Sequence, residues 1–138
     1  ITGFPGEDEQ EFEESLAFVQ EMQFADGHVF TYSARSGTAA ARMPNQVPQA
    51  IRKQRNARMR EALAESALAY QTNFLGQTLP VLWESAKSLG PQGWEFSGLT
   101  GNYLRVFARS TQQLWNQVTP VVLERLDKRG FNGRILED

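Results

Sequence analysis

Past Gly76 the chain breaks into short strand-like runs, 78–84, 94–99, 103–108, 118–126 and 131–136, each closed off by turn residues. Nothing upstream of Gly76 has this texture. Strands so short and so closely spaced need a closed arrangement, because an open sheet of them would leave unprotected edges. The pattern predicts a small five-stranded antiparallel β-barrel, OB-like, able to fold alone.

The upstream part reads differently. Gly3-Phe4-Pro5-Gly6 is turn chemistry after the stub of a strand, and Asp8 with Glu11 forms a capping pair for a helix whose apolar stripe is Phe12, Leu16, Val19 and Met22. Asp26-Gly27 leads into 28–32, His-Val-Phe-Thr-Tyr, which reads as a short buried strand. Strand, helix, strand is a βαβ step, and it implies a parallel sheet with more strands than these two. With Ile1 standing in mid-element, the expectation is a C-terminal piece of a larger enzyme. Its orphaned edges would be prone to pair between copies as an artefactual homodimer. From Ser33 to Pro48 runs a long loop punctuated by Gly37, Pro44 and Pro48, of a length usually functional or disordered. Pro48 then opens a long helix reaching about Asn73, with Ile51, Met59, Ala62, Ser66 and Tyr70 on one side. Arg55 falls inside that stripe, pointing to a partner surface or to a stretch of helix that leaves the core. The expected fold class is α+β, with domains at 1–73 and 74–138.

Composition narrows the chemistry. The chain has no cysteine, which removes disulfides, thiolate nucleophiles and cysteine-ligated metal or iron–sulfur clusters from these residues. No run approaches the roughly 18 apolar residues of a membrane span, so a cytoplasmic protein without membrane contact is expected. His28 is the single histidine and reads as structural, excluding catalytic arrangements built from several histidines. No catalytic residue and no metal ligand is assigned within this chain. All eight acidic residues from Glu7 to Asp26 precede the first cation, Arg35, so residues 1–33 carry −8 and residues 34–138, with 14 cations against 8 carboxylates, carry +6. The basic part suits a phosphate-bearing partner or is a solvated mixed surface. The acids near Asp8 are explained by the positive end of the helix dipole.

Three constellations stand out. In 103–108, Leu104, Val106 and Ala108 share one strand face, while Tyr103, Arg105 and Phe107 share the other. Aromatic, cation, aromatic suits single-stranded RNA, with Asn102 nearby for a base edge or backbone oxygen; the alternative is that both rings complete the barrel core. Trp83, Trp94 and Trp115 read as core rather than as stacking platforms. On the long helix, Arg52, Arg55 and Arg58 lie on one flank and Lys53 and Arg60 on the other, suiting an RNA backbone, a solvated helix or salt bridges to a missing domain. Tyr32, Ser33, Arg35 and Thr38 follow the C-terminal end of a parallel strand, where α/β barrels place their chemistry; such groups suit a carboxylate, a phosphate or a ribose.

Gly3-Phe4-Pro5-Gly6-Glu7, the helix Phe12-Glu13-Glu14-Ser15-Leu16-Ala17-Phe18-Val19 and the run from His28 to Met43 together resemble the radical-SAM methylthiotransferases. In that family a partial α/β barrel bearing a CxxxCxxC cluster site precedes a C-terminal TRAM domain, an RNA-binding β-barrel. The resemblance covers the whole chain. It implies that residues 1–73 are the βα remnant of the catalytic barrel with a connecting helix, and that residues 74–138 are the TRAM barrel. Three branches act on isopentenyladenosine in tRNA, on threonylcarbamoyladenosine in tRNA, and on an aspartate of a ribosomal protein. The wording from His28 to Met43, followed by Asn45-Gln46-Val47-Pro48, is most similar to the threonylcarbamoyladenosine branch, and Gly98-Leu99-Thr100-Gly101-Asn102-Tyr103-Leu104-Arg105-Val106 supports that choice. Ser36 and Ala39 stand where the family commonly has proline. The resemblance implies a parent that adds a methylthio group at C2 of the modified adenosine, using two 4Fe–4S clusters and S-adenosylmethionine. This chain, lacking every cluster ligand, is expected to bind neither cluster and to be inert alone. In the parent, Gly3, Phe4, Pro5, Gly6 and Glu7 would lie near S-adenosylmethionine. Tyr32, Ser33, Arg35, Thr38 and Arg42 would form the substrate rim. Asn102, Tyr103, Arg105, Phe107, Arg52, Lys53 and Arg55 would bind the tRNA anticodon stem-loop. The missing N-terminal domains of the same polypeptide are the other implied partner. A non-catalytic RNA or protein interaction module is the alternative.

Overall fold

The computed structural model describes residues 1–136, and the chain divides into two compact units, Ile1–Tyr70 and Gln71–Asp138. The first holds α1 (Glu9–Met22) and most of α2 (Gln49–Thr72). α1 starts at a full capping box: Glu11 N donates to Asp8 Oδ1 (2.8 Å) and Asp8 N to Glu11 Oε2 (3.0 Å). Phe12 and Leu16 of α1 pack with Met59 and Ala62 of α2, and Val19 and Val29 border the cluster. Ser66 donates to the Phe24 carbonyl (2.7 Å), and a Cβ on Gly27 would meet Leu63 Cδ1 at 2.8 Å, so the return segment runs close along α2.

Two expectations for this unit need correcting. Residues 28–32 do not form a buried strand: one parallel bridge, Thr2↔Thr31, is all that remains of it, and His28 and Phe30 are exposed, the latter by 65%. The parallel direction agrees with a βαβ step, but two short segments without further neighbours cannot make a ladder. The loop from Ser33 to Pro48 is also more ordered than its composition implies. A 3₁₀ turn spans Ala40–Arg42, Thr38 Oγ1 donates to the Arg35 carbonyl (2.8 Å), and Gly6 N donates to the Asn45 carbonyl (2.9 Å).

The second unit is a closed barrel of β1 (Thr78–Ser88), β2 (Trp94–Thr100), β3 (Arg105–Ser110), β4 (Val118–Asp127) and β5 (Gly130–Ile135), in the order β1-β2-β3-β5-β4. It is not wholly antiparallel: β3 and β5 pair in parallel through Val106↔Phe131 and Phe107↔Asn132, which closes the ring. Val81, Trp83, Phe96, Val106, Val121, Leu123 and Phe131 fill the interior at alternate positions. Trp83 is fully buried and its Nε1 donates to Thr119 Oγ1 (2.8 Å), whereas Trp115, expected in the core, is 60% exposed. Bulges between Trp83 and Ser85 and between Leu123 and Arg125 bend β1 and β4 around the small core.

Gly98 is required by this packing, since a Cβ there would stand 2.3 Å from the Leu82 carbonyl oxygen and 2.8 Å from Trp83 Cε3. Gly98→Ala should therefore destabilise the barrel by about 2 kcal/mol, the scale of an overpacked core. Gly101→Ala, where nothing lies within 4 Å, serves as the control. Urea unfolding followed by tryptophan fluorescence reports the barrel selectively, because Trp83, Trp94 and Trp115 all lie in it. Equal midpoints for the two variants would contradict the steric account.

Candidate nucleic-acid interface and substrate rim

The barrel's charge is arranged as a patch rather than carried in bulk. From Gln71 onward there are seven Lys and Arg against six carboxylates, so the +6 of residues 34–138 does not belong to the barrel. Four of those cations line one groove of about 670 Å³: Arg109 from β3, Arg125 from β4, Arg129 from the β4–β5 turn and Arg134 from β5. The bulge in β4 explains part of this convergence, because it leaves Glu124 and Arg125 both exposed where strict alternation would bury one of them. Arg134 is tied to Glu124 (2.8 Å) and Arg109 to Glu95 (3.4 Å). Arg125 and Arg129 make no ion pair among the described residues. Arg129 lies over the Phe107 ring, 4.8 Å from its centroid, and its backbone N–H donates to Asp127 Oδ1 (2.8 Å). That bond, with Asn132, holds the Asp127 carboxyl below its usual pKa range and pins the turn carrying Arg129. The outcome is two guanidinium groups without an ion pair among the described residues, sharing the field of Asp127 and standing beside an aromatic ring.

The sequence had placed Phe107 at such a surface but not its arginine neighbours. It had also put Tyr103 on the same strand face, and here the structure differs. Tyr103 lies before β3, in a turn, at φ +63° and 83% exposed. Thr100 holds that turn: Thr100 Oγ1 donates to Asn102 Oδ1 (2.6 Å), Leu104 N donates to Thr100 Oγ1 (2.9 Å) and Tyr103 N to the Thr100 carbonyl (3.0 Å). An exposed tyrosine held in the left-handed region costs about 1 kcal/mol or more and persists only because its surroundings fix it. Beneath it lies a hollow of about 370 Å³ walled by Pro80, Leu82, Leu99 and Val118. Arg105 donates to Glu84 Oε2 (2.8 Å) and Ser97 Oγ (3.2 Å), so its charge is partly neutralised.

In the first unit the cations of α2 fall into two groups. Arg55 is 6% exposed; its Nη1 donates to the Glu7 carbonyl (2.9 Å) and Oε1 (2.8 Å), its Nη2 to Glu9 Oε2 (2.9 Å), and its guanidinium lies over Phe12. Assigning Arg55 to RNA is thus corrected: a buried, doubly paired guanidinium is not available to a phosphate. Arg58 binds Glu13 through both terminal nitrogens (2.6 and 3.0 Å), and this contact holds the Glu13 carboxyl below its usual range. The acidic segment and these arginines therefore satisfy each other within one unit. Glu7 also accepts from Gly3 N (2.9 Å), so of the turn expected near S-adenosylmethionine, Phe4 and Gly6 stay exposed while Gly3 and Pro5 are buried. Of the residues expected at a substrate rim, Arg35, Thr38 and Arg42 lie on the exposed loop. Tyr32 and Ser33 line a separate cavity together with Arg52 and Lys53.

No family model matches the chain. Individual proteins do, over nearly its whole length, and they are RNA-modifying transferases. A tRNA-2-methylthio-N(6)-dimethylallyladenosine synthase of Ehrlichia chaffeensis (strain ATCC CRL-10679 / Arkansas) is 39% identical over 124 residues, 88% of this chain and 27% of that protein. A threonylcarbamoyladenosine tRNA methylthiotransferase of Bacillus subtilis (strain 168) is 35% identical over 141 residues, 100% of this chain and 31% of that protein. The dimethylallyladenosine enzyme of Moorella thermoacetica (strain ATCC 39073 / JCM 9320) is 35% identical, covering 99% of this chain and 30% of its own length. The chain belongs to the tRNA methylthiotransferase family, and spans about three tenths of the length of these relatives.

Proposed function

We propose that this chain is the substrate-side and RNA-binding part of a radical-SAM tRNA methylthiotransferase, with the barrel acting as a TRAM domain. The observation that carries the reading is the groove of Arg109, Arg125, Arg129 and Arg134 beside Phe107, on a chain whose relatives are named for tRNA modification. Guanidinium groups suit phosphate oxygens, and a ring beside them suits a base or a sugar edge. Asn102, Tyr103 and Arg105 supply a second contact, Lys53 and Arg52 a third. Residues 1–73 form the end of the catalytic barrel and its connecting helix, and residues 74–138 the tRNA grip. Phe4 and Gly6, the exposed members of their turn, are the ones that would approach S-adenosylmethionine.

The chain does not fit the clusters its family implies. It has no cysteine, and among the described residues no three His, Asp or Glu gather as a metal site, so cluster ligands must come from other residues of the parent. Among the described residues no helix is long and apolar enough to cross a membrane; a cytoplasmic location belongs to the same proposed reading. Threonylcarbamoyladenosine is the substrate favoured by the wording of the loop from His28 to Met43. The 39% identical relative favours the dimethylallyl substrate instead.

Fluorescence-anisotropy titration of the chain with an anticodon stem-loop tests the RNA role. Binding should weaken steeply as salt rises, the mark of phosphate contacts. Absent or salt-insensitive binding would sink it.

A further inference from the structure

The two helices of the first unit begin in opposite electrostatic ways. α1 has Asp8, Glu9 and Glu11 at its positive pole, as helices ordinarily do. α2, 24 residues long, has no acid in its first turn and carries Arg52 and Lys53 as its fourth and fifth residues. Cations at that pole oppose the helix dipole, so they weaken the helix they sit on. Proteins break such local rules chiefly at functional positions, and although Arg52 gains structural contacts, Lys53 makes no ion pair among the described residues.

What surrounds these cations shows what they would serve. They wall a cavity of about 310 Å³ with Gln49 at the head of the helix and with Thr31, Tyr32 and Ser33 from the returning segment. No carboxylate lines it, although carboxylates outnumber cations ten to seven over residues 1–70. The first intrahelical bond runs from Arg52 N to the Pro48 carbonyl (3.0 Å), so the Gln49, Ala50 and Ile51 amides lie ahead of it at the helix end. Arg52 is fixed in place. Its Nη1 donates to the Tyr32 carbonyl, and its methylenes press so closely on Gly3 that a Cβ there would sit 2.1 Å from Cγ. Tyr32 is held by the edge of Phe4, centroids 5.4 Å apart. Tyr32 Oη and Arg52 Nε have no partner among the described residues, but both are cut off from solvent, so the donors that can face the cavity are the Thr31 and Ser33 hydroxyls, the Arg52 terminal nitrogens and Lys53. Lys53, exposed, stands at the mouth.

The geometry points to an oxyanion site at the head of α2, gripped by Arg52 and Lys53 with hydroxyl and amide donors around them, which takes the carboxylate of a substituted adenosine. The oxyanion chemistry follows from the cavity. Its assignment to the substrate's carboxylate rests on the reading that the parent modifies a substituted adenosine in tRNA. The two substrate classes named among the relatives differ in this respect, since a threonylcarbamoyl group carries a carboxylate and a dimethylallyl group carries no charge. A site with two cations and no acid prefers the former. A backbone phosphate presents the same oxygens, so the two sources have to be separated by experiment.

The isotope-labelled 138-residue chain would be titrated separately with threonylcarbamoyladenosine nucleoside, dimethylallyladenosine nucleoside and inorganic phosphate, following the amide resonances of Ser33, Gln49, Ala50 and Lys53. The carboxylate-bearing nucleoside should saturate shifts at these amides and the dimethylallyl nucleoside should leave them in place. Lys53→Glu, at an exposed position, should weaken the first by at least tenfold with the rest of the spectrum unchanged. Saturation by phosphate alone would overturn the carboxylate assignment and give the site to the RNA backbone. No saturable shift from either anion, or no effect of Lys53→Glu, would overturn the site itself. Stem-loop binding measured on the same samples keeps the two readings apart: its loss with nucleoside binding intact counts against the tRNA role of the barrel and not against this cavity.

Discussion

Arg55→Met is expected to destabilise the first unit by about 3 kcal/mol, at the lower end of the cost of breaking a buried ion pair. Methionine keeps most of the aliphatic stem and the contact with Phe12 while removing the charge. What remains is Glu7, only 16% exposed at its side chain, keeping Gly3 N as a donor but facing no cation. Glu9, far more exposed, can turn to water, and for that reason the figure is not set higher. Adding Glu7→Gln should recover part of the loss, since an amide is less costly to leave in place than a carboxylate. Arg58→Ala removes an exposed pair with Glu13 and should change stability far less. The helices lie largely in the first unit and every tryptophan in the second. Helical circular dichroism under urea therefore reads the loss, while tryptophan fluorescence reads the barrel. An unmoved helical midpoint in Arg55→Met would show that the ion cluster contributes nothing to holding Glu7 and Glu9 against α2.

The behaviour of Arg55 illustrates where sequence reading stops. Its place on the buried stripe of α2 was visible from helical period, because Met59, Ala62 and Ser66 share that side. Its partners were not, because Glu7 and Glu9 lie 48 and 46 residues upstream and no local period connects them. The acids themselves had a sufficient local explanation in the dipole of α1, which hid their second role. The barrel was legible for the opposite reason. Period-two alternation is local, and it located all five strands to within a few residues, with Leu104, Val106 and Ala108 buried as alternation requires. Closure by a parallel β3–β5 pair was not legible, since pairing between distant strands leaves no mark on either. Tyr103 was misplaced because nothing in its own identity announces a left-handed turn; the cause is the Thr100 side chain bonding forward. The arginine groove went unread because a bulge after Leu123 interrupts the alternation that would have flagged Arg125.

Reversing two charges in that groove, Arg125→Glu with Arg129→Glu, should lower stem-loop affinity by roughly 100-fold at moderate salt, on the view that each guanidinium contributes about one phosphate contact. The salt dependence is the sharper measure. Each lost contact should flatten the slope of log affinity against log salt by about one, so the double variant should lose about two. These positions are chosen because neither has an ion pair among the described residues, so reversal removes attraction to RNA without breaking a salt bridge there; Arg129→Glu also gives up the contact with the Phe107 ring. Arg134→Ala is less suitable, since it would release Glu124 into the groove and mix two effects. Tyr103→Ala should weaken binding by a smaller factor and leave the salt slope alone, as loss of a stacking ring does. The contrast separates backbone grip from base contact. A double variant with unchanged slope, alongside a Tyr103→Ala variant that abolishes binding, would move the interface away from the arginine groove to the hollow beneath Tyr103.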